Sequence, residues 1–432
     1  MNKIVEKDNL LFQLDIDHSA CCLVSSNRVS GDVIIPISIS YENKDYFVIS
    51  INSFAFKDNH SINSICIPEG SKIKNVSGNA FYNCSLKFFC IPESIKNLNV
   101  GWCNCCKVLN FVQISPKNRY FICFQEKAIL GKSDKRNKIF NVIVFVNRYL
   151  ENILVPSFIK SIGPYSFSFS EIKKVDFSNH SNLCKISQYA FADSSIESFL
   201  IPMNVIKICK YAFFNCKKLE NVIFENNSKL RNINEYSFAE SSIKSIIFPI
   251  HVISIGRYAF YNCIKLQKVI FEEDSELQYI EQYAFSKSSF ISIKIPINIE
   301  SIHNTAFDYC EKMKTIEYPH RLTFFYGKNV CFSKFKHLIK LKDTQYGEIF
   351  QMAGILSFLC YSLNSLNDVL KSLDLPEGCN LYKSFQFKFS TNLAIFFEYV
   401  KNFDIYSLEP SIGMMCAYRI IEQQMTLNDL YL

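Results

Sequence analysis

The fold of this chain can be worked out from the segment Ile201–Phe224, IPMNVIKICKYAFFNCKKLENVIF. Its Ala-Phe pair belongs to a series, along the chain, in which a small residue precedes Phe. The series consists of Ala55-Phe56, Ala80-Phe81, Ser166-Phe167, Ala190-Phe191, Ala212-Phe213, Ser237-Phe238, Ala259-Phe260, Ala284-Phe285 and Ala306-Phe307. From Phe167 onward the spacings between the phenylalanines are 24, 22, 25, 22, 25 and 22 residues, which describes a double repeat of 47 residues. A regular internal period of this length predicts a repeat architecture.

Each repeat contains a short predicted strand followed by a curved segment. The pattern L-x-x-V-x-F, as in Leu219–Phe224, places its last two apolar residues two positions apart, on one face of a strand. A proline often follows the strand, as at Ile201-Pro202, and ends its hydrogen bonding because proline has no N–H. The motif I-x-x-I-x-x-Y-A-F comes next, and its three-residue spacing favours a tight 3₁₀-like or irregular arc over a long helix. Stacked units would share a continuous core, which accounts for the 40 phenylalanines.

The composition excludes several classes of protein. The 432 residues are 49% hydrophobic and 20% charged, so the chain can bury a large core and is not globally disordered. Its formal net charge of +7 is mild and spread along the chain, which does not favour nucleic-acid binding. The most apolar run, Met352–Leu363, is shorter than the ~20 residues of a membrane-spanning helix and is predicted to form a buried helix.

The pattern I-P-x-x-V-x-x-I-x-x-Y-A-F-x-x-C-x-x-L-x-x-V-x-F, as it stands in Ile201–Phe224, resembles the BspA-like leucine-rich repeats. These repeats are typical of bacterial surface proteins and of surface-antigen-like proteins in protists such as trichomonads. The resemblance covers roughly residues 30–320. It implies a β-rich solenoid with a curved parallel sheet along one face and irregular or 3₁₀ arcs. It also implies that surface binding is a possible activity, since some members bind extracellular matrix or host surfaces.

Five segments are predicted along the chain. Residues 1–50 form an N-terminal cap of short strands, and residues 51–112 and 151–328 carry leucine-rich repeats. Residues 113–150 form a hairpin insertion, with strands over Tyr120–Leu130 and Lys138–Val146 around a polar turn. Residues 329–432 show helix-like patterns, roughly over Tyr346–Leu373, Phe385–Val400 and Ser411–Met425. This small α-helical C-terminal segment is interpreted as a cap of the solenoid, with a partner-binding domain as the alternative.

The recurrent polar and cysteine positions favour structural roles over chemistry. Five cysteines share the position three residues after the Phe slot: Cys84, Cys106, Cys216, Cys263 and Cys310. An exposed column of thiols would suit a soft metal, but cysteine is more often a small buried hydrophobe, so buried thiols are predicted. Cys103, Cys105 and Cys106 form a denser cluster without a second pair nearby in sequence, so no metal and no cofactor is predicted. The recurrent tyrosines Tyr189, Tyr211, Tyr236, Tyr258 and Tyr283 are predicted to stack.

No catalytic signature is found, and a non-catalytic protein is predicted. The chain contains no phosphate-binding glycine loop, no G-x-S-x-G, no H-E-x-x-H and no set of kinase motifs. The seven histidines do not recur at one repeat position. Nothing recommends one Cys-His pairing over another as a nucleophile and its base.

The most informative prediction concerns the residue between Val and Phe in L-x-x-V-x-F, which should point out from the concave face. That position is occupied by Cys66, Cys90, Asp176, Leu200, Ile223, Ile247, Ile270, Lys294 and Glu317. Four consecutive aliphatic residues with a polar rim indicate a binding surface when they are exposed. The predicted partner-binding residues are therefore Leu200, Ile223, Ile247, Ile270, Lys294 and Glu317. The alternatives are that strand propensity alone explains the isoleucines, or that the C-terminal helices cover them.

Two functions follow as expectations. The first is a cytoplasmic scaffold that recognises an unknown protein partner through the concave face, favoured by the lack of a visible signal peptide or transmembrane helix and by the many cysteines. The second is a cell-surface antigen or adhesin that binds host or matrix proteins after export by a non-standard route. The resemblance favours this second function.

Overall fold

The computed structural model describes residues 3–26, 29–136, 138–296, 298–303 and 305–317. Over these residues the chain forms a β-solenoid of about 12 turns. The described residues contain strands and turns but no α-helix. The predicted helical segment 329–432 lies outside the described residues.

Each regular turn contributes one long strand to one sheet and one two-residue strand to another. The long strands are β4 (Gly31–Ile34), β7 (Ile62–Cys66), β9 (Phe88–Ile91), β11 (Phe111–Ile114), β15 (Asn152–Val155), β17 (Lys174–Phe177), β19 (Ser198–Ile201), β21 (Asn221–Phe224), β23 (Ser245–Phe248), β25 (Lys268–Phe271), β27 (Ser292–Lys294) and β29 (Thr315–Glu317). The short strands are β8 (Asn75–Val76), β10 (Asn97–Leu98), β16 (Ser161–Ile162), β18 (Lys185–Ile186), β20 (Lys207–Ile208), β22 (Asn232–Ile233), β24 (Ser254–Ile255), β26 (Tyr279–Ile280) and β28 (Ser301–Ile302).

Both sets of strands pair in parallel with the equivalent strands of the neighbouring turns. The long strands form a four-stranded sheet from β4 to β11, a six-stranded sheet from β15 to β25, and the pair β27–β29. The register keeps equivalent residues side by side, so that Phe199 lies beside Val222 and Leu200 beside Ile223. Residues at the same position of the repeat therefore form a row that runs across the sheet.

The N-terminus closes the first turn with additional strands. They are β1 (Ile4–Lys7), β2 (Leu10–Asp15), β3 (Ala20–Ser26), β5 (Ser38–Tyr41) and β6 (Lys44–Ile51). Strands β1, β2 and β3 pair in antiparallel fashion, and β3 then pairs in parallel with β6, which pairs with β8. Strand β4 already belongs to the long-strand sheet, because Ile34 registers with Cys66 of β7.

The arcs between the strands are runs of β-turns and not 3₁₀ helices, so the irregular alternative of the sequence prediction is correct. Around Phe191, the amides of Tyr189, Phe191 and Asp193 donate to carbonyls of the following turn, and that of Phe191 reaches Ala212 at 2.7 Å. The amides between them donate three residues back within the same turn. Tyr189 and Asp193 have φ of 54° and 58°, which a 3₁₀ helix does not allow and a type II turn requires.

The phenylalanines of the repeat form one stacked column inside the solenoid. Neighbouring rings from Phe167 to Phe307 have centroids 4.6–5.8 Å apart, with planes within 20° of parallel. All of these side chains are buried, together with the isoleucines, leucines and valines of the strands. The column explains the phenylalanine content, because every turn needs one ring to continue the stack.

The insertion divides the interior into two cores. It contains β12 (Ile122–Phe124), β13 (Ala128–Gly131) and β14 (Val142–Val146), so the first predicted strand is split in two by a turn. The antiparallel pair β13–β14 is buried on both faces. Leu130 and Ile143 belong to the core of residues 128–316, whereas Ile129 and Phe145 belong to the core of residues 10–145.

Arg148 connects the two sides of this junction. Its buried guanidinium donates to the carbonyl of Ser166 at 2.9 Å, and Nε to that of Cys106 at 3.4 Å. It also lies 4.6 Å from the ring centroid of Phe145. Because the planar guanidinium donates to carbonyls on both sides of the junction, the side chain links the N-terminal stack of turns to the C-terminal stack.

The degenerate repeat at the same junction keeps the backbone pattern. The amide of Phe81 donates to the carbonyl of Trp102 at 3.0 Å, just as that of Phe56 donates to Ala80, so Trp102 occupies the Ala slot. Its ring centroid lies 6.0 Å from that of Phe81, 5.5 Å from that of Phe89 and 5.9 Å from that of Phe145. The large side chain fills the space left where the phenylalanine column is interrupted by Cys103.

The cysteines at the shared repeat position are buried, and the thiols of Cys106, Cys216, Cys263 and Cys310 each donate to a phenylalanine carbonyl. The Sγ of Cys216 donates to the carbonyl of Phe191 at 3.1 Å, and that of Cys263 donates to Phe238 at 3.2 Å. Intervening turns carry serine at this position, as at Ser194. Burial raises the pKa of the Cys216 and Cys263 thiols to about 12, so they stay protonated at neutral pH.

We predict that Trp102→Ala destabilises the protein, although it restores the residue that the repeat carries elsewhere. The substitution leaves a cavity against three aromatic rings, and a loss of about 3–5 kcal/mol in unfolding free energy is expected. Urea unfolding followed by far-UV circular dichroism measures it. Tyr149→Ala, which removes an exposed aromatic ring, should change stability by less than about 0.5 kcal/mol. Equal effects of the two substitutions would contradict this account of Trp102.

We also predict a difference in alkaline stability between the wild-type chain and the double variant Cys216→Ser/Cys263→Ser. A pKa raised in the folded state means that stability is intact below the ordinary thiol pKa and is lost as the pH rises toward about 12. Each thiol should contribute a slope of about 1.4 kcal/mol per pH unit in that window. The double variant should lose this part of the slope, while its unfolding free energy at pH 7 should stay close to that of the wild type. Chemical denaturation at a series of pH values measures both quantities. Superimposable pH profiles would mean that these thiols are not buried.

Candidate functional site

From β15 to β25, the third residue of each long strand faces away from the core, as strand alternation requires. In β21, Val222 is buried and Ile223 is 58% exposed. The strand register extends this position into a row across the sheet, with Leu154 beside Asp176, Leu200 beside Ile223, and Ile247 beside Ile270. We call the row from Leu154 to Ile270 the outward column.

The predicted partner-binding residues occupy this row or its continuation. Leu200 and Ile247 are 42% and 53% exposed, whereas Ile270 is half-buried. Lys294 of β27 is exposed and registers with Glu317 of β29. The structure therefore places the aliphatic members next to one another and the two charged members on the last strand pair.

Sequence reasoning missed two exposed apolar residues at the same position. Leu154 of β15 is 56% exposed and extends the outward column by one strand beyond Asp176. Ile34 of β4 begins the equivalent row in the N-terminal part of the solenoid, beside Cys66. The signal for Leu154 is the segment Leu150–Val155, which keeps the leading leucine of the motif but carries Ile153 in place of its valine and Val155 in place of its phenylalanine.

A polar rim with ion pairs borders the outward column. Lys244 Nζ lies 2.5 Å from a Glu220 carboxylate oxygen, and Lys173 Nζ lies 2.6 Å from one of Glu151. The hydrogen bond from Lys244 lowers the pKa of Glu220. Such surface pairs contribute little to stability, so their effect is to keep one margin of the apolar row hydrated.

The tyrosines form a second stacked column, as predicted, and it begins one turn earlier at Tyr165. Ring centroids from Tyr165 to Tyr283 are 4.6–4.9 Å apart, and every ring is half-buried. Because the ring faces cover one another, only ring edges and hydroxyls face the solvent. Burial raises the pKa of Tyr236 to about 12, so its hydroxyl stays protonated. The column is suited to holding turns together and not to stacking a planar ligand.

Two cysteines lie side by side on the N-terminal long strands, at the repeat position that the outward column occupies further along the chain. Cys66 of β7 and Cys90 of β9 are both half-buried, and their sulfurs are 3.1 Å apart. Gln113 of β11 follows on the next strand, with Oε1 3.9 Å from the Cys90 sulfur. All fourteen cysteines that the structure describes are free thiols.

The described residues offer no metal site and no membrane-spanning helix. In the described ranges, no three side chains among His, Cys, Asp and Glu come together as metal ligands would. The contacts of His18 with Asp15 and of His251 with Glu276 are pairs near the surface. Within the same ranges no helix has the length and apolarity to cross a bilayer.

Comparison with known proteins identifies relatives of the fold. A structure of a leucine-rich repeat protein from Eubacterium ventriosum is similar at 16% identity, with a TM-score of 0.54, and the match covers 75% of this chain and 97% of the other. A leucine rich cell surface protein from Faecalibacterium prausnitzii matches at 18% identity and a TM-score of 0.40, over 80% of this chain and 99% of that chain. The search of curated proteins finds no match.

The sequence itself matches the BspA type leucine rich repeat region in six copies, over residues 37–129, 138–252 and 231–353. These ranges cover well over half of the chain and include the outward column and the phenylalanine and tyrosine columns described above. The chain therefore belongs to the BspA type leucine rich repeat family.

Proposed function

We propose that this chain is a non-catalytic protein-interaction module that recognises its partner through the outward column. The observation that carries the proposal is the unbroken run of Leu200, Ile223, Ile247 and Ile270 on neighbouring strands, three of them exposed to solvent. Exposed apolar residues in a contiguous row with a polar margin are typical of an interaction site. Leucine-rich repeats generally mediate protein interactions, which supports the same function.

The spacing of the outward column suits an amphipathic helix as the ligand. Neighbouring parallel strands lie about 4.8 Å apart, close to the 5.4 Å pitch of an α-helix. A helix laid along the row would therefore place about one apolar side chain on each strand. The six strands from β15 to β25 span about 24 Å, the length of about 16 helical residues. In this proposal the aliphatic residues supply the buried contact, while the exposed Lys294 supplies a polar contact beyond its end.

We predict that the double substitution Ile223→Glu/Ile247→Glu weakens partner binding by roughly a hundredfold, because each carboxylate must be desolvated in an apolar contact. A photo-crosslinking amino acid at position 223 of the full chain first captures the partner. The dissociation constant is then measured with that purified protein. Ile264→Glu is the matched control, since Ile264 is 62% exposed but lies outside the outward column. Circular dichroism confirms that the variants fold.

Two outcomes would contradict this proposal. If Ile264→Glu weakens binding as much as the double variant does, the outward column does not recognise the partner. If position 223 crosslinks to residues 318–432 of the same chain, the row is an internal contact and the partner binds elsewhere. The crosslinked peptide, read by mass spectrometry, distinguishes this second case from capture of another protein by the exposed row.

We further propose that the protein acts in the cytoplasm. The buried thiols of Cys216, Cys263 and Cys310 each donate to a phenylalanine carbonyl, and they can do so only while reduced. Unpaired thiols in this number are typical of reducing compartments. This support is chemical and does not depend on the identity of the partner.

A labelling experiment tests the location. Intact cells that produce the protein are treated with a membrane-impermeant amine reagent and with external protease. Protection until lysis is the expected result, because a cytoplasmic protein is not reached by either reagent. Labelling or cleavage in intact cells would instead establish the cell-surface alternative, and host or matrix proteins would become the partners to test.

A further inference from the structure

The thiols of Cys66 and Cys90 differ in burial and bonding from the buried cysteines that follow the phenylalanine slot. Cys216 and Cys263 are buried, and their thiols donate to carbonyl groups. Cys66 and Cys90 are instead half-buried, stand on adjacent parallel strands, and lie with their sulfurs 3.1 Å apart. Strands β7 and β9 register Ile65 with Phe89, which places the next residue of each strand side by side. The contact thus follows from the register of the sheet.

We propose that Cys66 and Cys90 form a dithiol site that closes to an intramolecular disulfide by exchange with a low-molecular-weight disulfide such as oxidised glutathione. The inference is independent of the partner-binding proposal, because it concerns only these two side chains and their solvent access. It assigns a modification site to the N-terminal part of the exposed sheet face.

The reaction is a balanced two-step exchange. In the first step one cysteine, as its thiolate, attacks a sulfur of oxidised glutathione, whose S–S bond breaks and releases one glutathione thiolate. In the second step the other cysteine loses its proton and attacks the protein sulfur of the mixed disulfide, and the second glutathione leaves. The protein gives up two electrons and two protons. The glutathione disulfide is reduced to two glutathione molecules.

The geometry allows this bond and makes it easy to reverse. Adjacent parallel strands separate Cα atoms by about 4.8 Å, inside the range of about 4.4–6.8 Å found for disulfides. The sulfurs must approach by about 1 Å to reach bonding distance, which side-chain rotation can provide. Directly opposed Cβ atoms on such strands are slightly too far apart for an unstrained bond, and strained disulfides are more readily reduced.

The surroundings of the pair are compatible with slow, reversible closure. Gln113 lies beside Cys90, and its amide oxygen is 3.9 Å from the Cys90 sulfur. Burial raises the pKa of Cys90 to about 12, with a further contribution from the Cys66 thiol. The Cys90 thiol therefore stays protonated at neutral pH, and the pair closes only in a sustained oxidising environment. The state of the pair would record the redox environment of the protein.

Redox titration of the full chain tests the proposal. The protein is equilibrated in buffers of graded ratio of oxidised to reduced glutathione, quenched with acid, alkylated with N-ethylmaleimide and digested with trypsin. Cys66 lies on the tryptic peptide 58–72, Cys90 on 88–96 and the buried Cys84 on 75–87. The expected product is a covalent pair of peptides 58–72 and 88–96, lighter than the two reduced peptides by two hydrogen atoms. It should form without unfolding and disappear in reduced glutathione.

Single variants add a second readout. In Cys66→Ser or Cys90→Ser the remaining cysteine should accumulate as the mixed disulfide with glutathione, because the resolving thiol is missing. Cys184→Ser is the control, since Cys184 is half-buried and hydrogen bonded to the Lys160 carbonyl elsewhere in the solenoid. That variant should form the crosslink as the wild type does. Recovery of both peptides only as alkylated monomers across the whole titration, or a crosslink that forms only in urea, would overturn the proposal.

Discussion

Hydrogen bonding from each arc to the next is the constraint on which the structure depends. The arcs close a packed interior, where a backbone amide without a partner would be unfavourable. Alternate amides around Phe191 therefore donate to the following turn, and those between them donate within their own turn. This arrangement requires positive φ at Tyr189 and Asp193 and stacks equivalent residues at the strand spacing. The columns of phenylalanine, tyrosine and thiol are consequences of that stacking.

The same stacking creates the candidate binding surface. Because the register between paired long strands does not shift from β15 to β25, the inward residue of one turn lies beside the inward residue of the next, and the outward residues do the same. Ile223 is thus exposed for the same reason that Val222 is buried. A row of side chains on a rigid sheet loses little conformational freedom when a partner binds, which favours recognition by the outward column.

Much of this could be predicted from sequence, because the repeat converts spacing in the chain into position in space. The strands, the continuous core with its phenylalanines, the stacked tyrosines and the burial of the repeated cysteines all follow from one aligned motif. The type of turn in the arcs could not be predicted, because it depends on a positive φ at Tyr189 and its equivalents. Tyrosine rarely adopts a positive φ. Leu154 was missed because its strand departs from the motif. The contact of Cys66 with Cys90 needs the actual rotamers and not only the shared position.

The two-faced hairpin β13–β14 has a consequence for how the molecule comes apart. Solenoids are stabilised by contacts between neighbouring turns, so loss of structure usually passes from one turn to the next. Here the antiparallel pair supplies side chains to two separate interiors, and it also pairs with β12 on one edge and with β16 on the other. Fraying that starts at one end of the chain therefore meets a boundary at the insertion. The N-terminal and C-terminal stacks can melt as two cooperative units, joined by Arg148 and the hairpin.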